Sequence, residues 1–168
     1  MVTKKSMWVL LTILVISAWV LVSAVQVGAE TMNYKTYIYV EKREAVSVGD
    51  MEGHGLAVET RRTFLVFENG EVATSVIFAT ADFMKDSGSN RSYTTITFAD
   101  GSTISIKREV KWVGAVTETK GEITKGTGRF EGIKGTQTGK AKYLRVEKGE
   151  VGPKGYGEGT ITYTLPSK

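Results

Sequence analysis

The chain has 168 residues, no cysteine, one histidine and a formal net charge of +4 at pH 7. The length suits a single domain, and the lack of thiols excludes disulfides, iron–sulfur clusters, thiolate zinc sites and cysteine nucleophiles. Lysine and arginine alternate with Gly, Thr and Glu and form no block. This pattern is typical of the solvent side of strands and predicts no nucleic-acid partner.

The N-terminal segment has the layout of a secretory signal peptide. Two lysines precede an apolar run that begins at Met7, and small residues up to Ala29 fit a cleavage site. The sequence therefore predicts a signal peptide over residues 1–29 and a single domain over residues 30–168, secreted or periplasmic. The alternative is an uncleaved membrane anchor, because residues 7–25 approach the roughly 20 residues that cross a bilayer.

The region after residue 29 predicts strands almost throughout, because Thr, Val, Ile, Tyr and Phe dominate its alternating segments. Asn69-Gly70 and Asp100-Gly101 each separate two such segments, which indicates hairpins. The polar tract 85–92 predicts the end of the first ladder. No window repeats apolar residues at helical spacing. Together these segments predict an all-β fold, a closed antiparallel barrel of about eight strands, since closure removes exposed edges.

The stretch "KGTGRFEGIKGTQTGK" (125–140) is rich in glycine but does not predict a nucleotide site. Its G-x-G-x-x-x-G spacing is one residue longer than the dinucleotide fingerprint, and no helical pattern follows it. The glycines instead indicate β-geometry. The sequence predicts a turn at Gly126–Gly128, a short strand that starts at Arg129 and places Phe130 in the core, and coiling points at Gly132 and Gly135.

The segment "GTGRFEGIKG" (126–135) resembles the glycine-rich run shared by allene oxide cyclases and dirigent proteins. Lys125 stands where these families often have a further glycine. The resemblance implies an eight-stranded antiparallel barrel with an apolar lumen, in an exported member of bacterial type. It implies no cofactor, and it assigns no catalytic residue in this chain.

His54 is the only histidine and alternates with Asp50 and Glu52. On an extended strand these three side chains would share one face. The flanking glycines instead indicate a mobile loop, and one histidine cannot build a multi-histidine site. The sequence therefore predicts no bound metal.

Arg108 is the strongest candidate for a ligand-binding residue. It shares one face of its segment with the apolar residues between Ile104 and Trp112. If this face lines the barrel, the guanidinium needs a carboxylate or a ligand anion, because an unpaired buried charge is costly. The alternative is a bulge at Lys107 or Arg108 that turns the arginine outward. Candidate carboxylate partners are Glu59, Glu109 and Glu118.

Four aromatic residues complete the predicted binding set: Tyr37, Tyr39, Tyr93 and Trp112. Aromatic walls suit apolar ligands, and ordinary barrel packing is the alternative role for the same side chains.

Two functions follow as hypotheses. The first is an exported barrel that binds an apolar or acidic-apolar small molecule in its lumen, and either carries it or guides its cyclisation or isomerisation. The second is a non-enzymatic envelope or surface protein whose barrel is filled by its own side chains. Residues 74–81 are apolar on both faces, which predicts that the outside of the barrel is buried too, in a dimer or a trimer.

Overall fold

A computed structural model describes residues 28–167, so the predicted signal peptide or anchor lies outside the described residues except for its last two positions. The described chain contains eight strands in sequence order: β1 (Glu30–Ser47), β2 (His54–Phe67), β3 (Val72–Met84), β4 (Ser87–Phe98), β5 (Thr103–Val113), β6 (Val116–Thr127), β7 (Lys134–Tyr143) and β8 (Gly155–Thr164). Across residues 28–167, no helix has the length and apolar character needed to cross a membrane.

The strands form a closed antiparallel barrel, as the sequence predicts. Each strand pairs with the next one along the chain, and β8 pairs with β1. Closure is visible at Tyr34, which is the register partner of Phe67 on β2 and of Gly159 on β8. The two predicted hairpin turns are confirmed, since they connect β2 to β3 and β4 to β5.

The polar tract 85–92 does not end a ladder, and that prediction is wrong. Only Lys85 and Asp86 separate β3 from β4, and Lys85 takes a positive φ of 50° that reverses the chain. Asn90 and Ser92 are buried on the inner face of β4. Small polar residues form a strand here because this end of the barrel interior is itself polar.

The glycine-rich segment serves β-geometry, but not through the predicted short strand. Strand β6 continues to Thr127, and Gly128–Phe130 forms a 3-10 turn that places Phe130 in the core. A Cβ on Gly126 would collide with the carbonyl group of Phe130, and one on Gly135 would collide with the backbone of β8. Gly132 lies in the following turn with φ +75°. The chain can therefore double back here only because these side chains are missing.

One end of the barrel is filled by its own side chains. The ring centroids of Phe67 and Phe98 lie 5.4 Å apart, those of Phe98 and Phe130 4.8 Å, and those of Phe130 and Tyr163 6.2 Å. The guanidinium of Arg129 covers this stack, 4.8 Å from the centroids of both Phe98 and Phe130. This half of the barrel is a solid apolar core, in contrast to the opposite end.

Candidate ligand-binding site

The other end of the barrel holds a cavity of about 500 Å³. The β3–β4, β5–β6 and β7–β8 connections contribute residues to its mouth. Its wall combines apolar side chains with a comparable number of polar and charged ones, so it is more polar than most small-molecule sites. The lining residues with charged, hydrogen-bonding or large aromatic side chains include Arg43, Glu59, Arg61, Asn90, Trp112 and Tyr143.

Glu59 is the buried carboxylate of the cavity, with 3% of its side chain exposed. Arg61 binds one carboxylate oxygen through Nε, at 2.7 Å, and through Nη2. Arg43 approaches the other oxygen at 3.3 Å. Arg61 also donates from Nη1 to the hydroxyl oxygen of Tyr143, at 3.1 Å. One carboxylate thus holds two guanidinium groups in the cavity wall.

A break in the register of β1 brings Arg43 into this cluster. Val40 is the partner of Arg61, but Lys42 is the partner of Thr60, so one additional residue lies in β1 between these pairs. Such a bulge reverses the inside–outside alternation of the residues that follow it. Arg43 therefore faces Glu59 rather than solvent.

Arg108 also points into the barrel. Its Nη2 donates a hydrogen bond to Thr94 Oγ1. Its Nε is buried and has no hydrogen-bond partner. Burial lowers the pKa of Arg108; Tyr34 and Tyr143 oppose this effect, and the nearby Arg61 adds to it. The guanidinium cation is therefore buried without an acidic partner, which is energetically unfavourable.

None of the three predicted partners contacts Arg108. Glu59 is engaged by Arg43 and Arg61, whereas Glu118 lies 3.4 Å from Lys140 and Glu109 lies 4.0 Å from Arg91, both on the exposed surface. The alternative of a bulge at residues 107–108 does not occur, because the β5–β6 register breaks only between Ser105 and Ile106. Inward alternation is therefore preserved at Arg108.

Tyr34 and Gln137 lie between Arg108 and the apolar core. Gln137 donates from Nε2 to the Tyr34 hydroxyl oxygen, and burial raises the pKa of Tyr34. A Cβ on Gly121 would lie 2.9 Å from Cγ of Arg108 and 3.2 Å from Oε1 of Gln137. Gly121 thus leaves the space in which the arginine stem and the amide lie side by side.

Three of the predicted aromatic residues lie on the outside of the barrel. Tyr37, Tyr39 and Tyr93 have 55%, 49% and 57% of their surface exposed. Alternation correctly separates Tyr37 and Tyr39 from Ile38 and Val40, but the inward face is the one with Val40. The prediction that these tyrosines line an inner pocket is therefore corrected, and only Trp112 lies at the cavity.

His54 begins β2, so the prediction that it lies in a loop is wrong. Its Nδ1 lies 2.6 Å from Asp50 Oδ1 and its Nε2 lies 3.1 Å from Asp82 Oδ1. Hydrogen bonding to Asp50 raises the pKa of His54, against an opposing effect of burial, and Asp82 adds to the rise. Within residues 28–167, no group of three or more His, Asp or Glu side chains is arranged to hold a metal.

Sequence reasoning missed Arg61, Asn90 and Tyr143, and it named Glu59 only as a possible partner of Arg108. Glu59 and Arg61 look like solvent-facing residues because they belong to the charged run "ETRR". A signal was nevertheless present. Glu59 and Arg61 lie an even number of residues from Leu65 and Phe67, which are buried on the same strand. Alternate residues of a strand share one face, so counting back in steps of two from these core residues would have placed both inside the barrel.

No protein-family model matches this chain, and no curated protein matches it. Two solved structures that are similar to it are pterocarpan synthase dirigent proteins. PsPTS1 matches with a TM-score of 0.47 and 14% identity, over 83% of this chain and 97% of its own. GePTS1 matches with a TM-score of 0.46 and 17% identity, over 83% of this chain and 92% of its own. The barrel of the present chain is defined by its own strand pairing.

Proposed function

We propose that this protein binds a small molecule with an apolar body and an anionic group in the cavity at the open end of its barrel. The observation that carries the proposal is Arg108, an inward-facing cation whose Nε has no partner and which contacts no carboxylate among the described residues. Arg108 lies on the inner face of β5, four residues before Trp112, which lines the cavity together with the apolar side chains of Ala81 and Phe83.

The charge balance of the interior favours an anion. Glu59 faces Arg43 and Arg61, and Arg108 adds a further positive charge. A buried cation without a counter-ion is costly, and a bound carboxylate would remove that cost by charge-assisted hydrogen bonds. Binding of an acidic ligand is therefore favoured, because it removes the cost of an unpaired buried cation that the ligand-free barrel retains.

The resemblance at residues 126–135 adds a finer proposal. The cavity guides the cyclisation or isomerisation of the bound molecule by its shape, without a cofactor. Glu59 is engaged by two guanidinium groups and is not a free base, so we propose guidance by shape and polar contacts rather than by general base catalysis.

Titration with 2-naphthoic acid, a flat apolar acid with intrinsic fluorescence, tests the proposal. The wild-type protein should bind the probe, and Arg108→Met should bind it about 10-fold or more weakly, because a hydrogen-bonded charge is lost. Lys107→Met is the matched control, since Lys107 carries the same charge on the exposed face of the same strand. Equal binding by Arg108→Met would overturn the assignment of Arg108.

A second candidate function is self-assembly through the outside of β1–β4. The exposed large side chains of this surface define the apolar outer face: Tyr37, Tyr39, Val58, Phe64, Phe78 and Tyr93. Tyr37 is the register partner of Phe64, and Phe78 is the partner of Tyr93, so the face contains two cross-strand aromatic pairs.

We propose a second copy of this chain as the occupant of the apolar outer face. Half-exposed aromatic side chains of about 200 Å² each supply a few hundred Å² of apolar surface, a large share of the roughly 800 Å² that each partner buries in a stable complex. A dimer or a trimer would cover it. The oligomeric state in solution tests this candidate.

We also propose that the barrel acts outside the cytoplasm, secreted or periplasmic, on the strength of the N-terminal sequence pattern alone. N-terminal sequencing of the protein from its own host should find a chain that begins at Glu30. An intact Met1 in the membrane fraction would favour the anchor instead.

A further inference from the structure

The inner surfaces of β4 and β5 form one wall that runs from Arg108 to the mouth of the cavity. The register pairs Ser92 with Arg108, Asn90 with Val110, and Gly88 with Trp112. These pairs follow one another at intervals of two residues, so all of their side chains face inward. From the inner end of this wall to the mouth, a ligand would contact the guanidinium of Arg108, then the carboxamide of Asn90 and then the indole of Trp112.

Asn90 is the second polar group of this wall without a partner. Only 6% of its surface is exposed, and its Oδ1 is buried and makes no hydrogen bond. Leaving such a group unsatisfied costs about 1–3 kcal/mol, so its retention in a cavity wall calls for a partner. A hydroxyl both donates and accepts hydrogen bonds and therefore suits a carboxamide in either orientation.

The spacing of the two polar groups sets the spacing of the ligand's own groups. Asn90 is the diagonal neighbour of Arg108 across the β4–β5 pair, so the Cβ atoms of the two residues lie about 7–8 Å apart. The Arg108 side chain then extends to Thr94, on the side away from Asn90, so the guanidinium lies farther from the carboxamide than the two Cβ atoms lie from each other. Adjacent hydroxyl and carboxyl groups on one ring could not reach both. The two groups must lie at opposite ends of a body of about two fused rings.

Trp112 shapes the outer part of the wall. A Cβ on Gly88 would lie 2.5 Å from Cζ2 of the indole. The ring therefore lies over Gly88 on β4 and occupies the space that a side chain at this position would fill. The indole presents a flat apolar surface to the cavity, which suits a planar ligand.

From this arrangement we infer that the ligand is a planar hydroxy acid. Its carboxylate binds Arg108, its hydroxyl binds Asn90, and its ring system lies against Trp112. This inference rests on the proposed function, because it names the chemical class of the molecule that the cavity binds.

A set of fluorescent probes tests the inference: 6-hydroxy-2-naphthoic acid, 3-hydroxy-2-naphthoic acid and 2-naphthoic acid. The 6-hydroxy acid should bind the wild-type protein about 5- to 10-fold more tightly than 2-naphthoic acid, because it satisfies one further buried group. The 3-hydroxy acid, whose two groups are adjacent, should bind no more tightly than 2-naphthoic acid. Asn90→Leu should abolish the preference for the 6-hydroxy acid, so that the ratio of its dissociation constant to that of 2-naphthoic acid returns to about one.

The outcomes separate this inference from the proposed function. If 2-naphthoic acid binds through Arg108 but the 6-hydroxyl adds nothing, or its advantage survives in Asn90→Leu, the hydroxy acid is overturned and the acid site stands. If no acid binds the wild-type protein, both are overturned. Should Asn90→Leu fail to fold, the comparison of the two hydroxy acids on the wild-type protein decides the matter by itself.

Discussion

Tyr34 lies against Gly159 where the last strand of the barrel meets the first. The two residues are register partners across β1 and β8, and a Cβ on Gly159 would lie 2.5 Å from Cζ of the tyrosine. The Tyr34 hydroxyl is held from the other side by Gln137. The ring therefore occupies the space that the glycine leaves free, and the barrel closes around it.

Gly159→Ala should destabilise the protein, because the added methyl group meets a ring that cannot move aside. We expect a loss of about 1–3 kcal/mol in the free energy of unfolding, measured by urea denaturation. Gly139→Ala is the control, since its Cβ would come only as close as 3.0 Å to the nearest atom, the carbonyl oxygen of Glu158, and its loss should be smaller. Equal losses in the two variants would contradict this account.

Arg108→Met should stabilise the ligand-free protein while it weakens binding of acids. The guanidinium is buried without a carboxylate, and replacing such a charge with an apolar side chain of similar length removes its desolvation cost. A gain of about 1 kcal/mol would raise the Tm by roughly 2–8 °C in a domain of this size. Lys107→Met should leave the Tm nearly unchanged. A lower Tm for Arg108→Met would show that the charge has a partner after all.

Glu59→Gln should have the opposite effect. It removes the carboxylate that neutralises Arg43 and Arg61, and an uncompensated buried charge costs about 3–5 kcal/mol. Thermal unfolding of the variant measures this loss. Glu109→Gln removes a carboxylate from an exposed pair 4.0 Å from Arg91, so it should change stability by less than about 0.5 kcal/mol. Comparable losses would mean that the inner cluster is not needed for folding.

The stability contributed by His54 should depend on pH. Its pKa is raised by Asp50, and further by Asp82. A histidine with a raised pKa in the folded state contributes fully below its unfolded value of about 6.5, and the contribution is lost as the pH rises through the folded value. The Tm difference between the wild-type protein and His54→Asn should therefore be largest near pH 5.5 and shrink by about pH 8.5.

NMR provides an independent check of this histidine. The chain contains one histidine, so its imidazole signal needs no assignment by mutation. A titration midpoint above about 6.5 is expected. A midpoint at or below that value would contradict the contacts with the two aspartates.

The apolar outer face should support self-association. Light scattering coupled to size-exclusion chromatography should find a dimer or a trimer for the wild-type protein, and Phe78→Glu should shift it to a monomer, because a charge in a buried apolar contact is costly. Lys111→Glu is the control on the charged side of the barrel, where Lys111 is exposed. A monomeric wild-type protein at micromolar concentrations would overturn this proposal.

The residues of the cavity show how far sequence reasoning reaches. Arg108 and Trp112 could be placed on one face, because alternation along a strand is a local property with a period of two. The partners of Arg108 could not be identified, because they depend on which strand lies beside which and in what register. Asn90 was not predicted as a site residue for a related reason. A run of polar residues has the same composition in a loop as in a strand that lines a polar cavity.

The sequence by itself determined the strand-rich character of the chain and the hairpins at Asn69-Gly70 and Asp100-Gly101, since each follows from residues close in the chain. Tertiary structure decided which end of the barrel is solid and which is hollow. It also decided that one additional residue in β1 turns Arg43 inward toward Glu59, and that Tyr37 and Tyr39 face outward. These features depend on long-range register and closure, in which the same alternating pattern has two possible faces and only the packed barrel selects one.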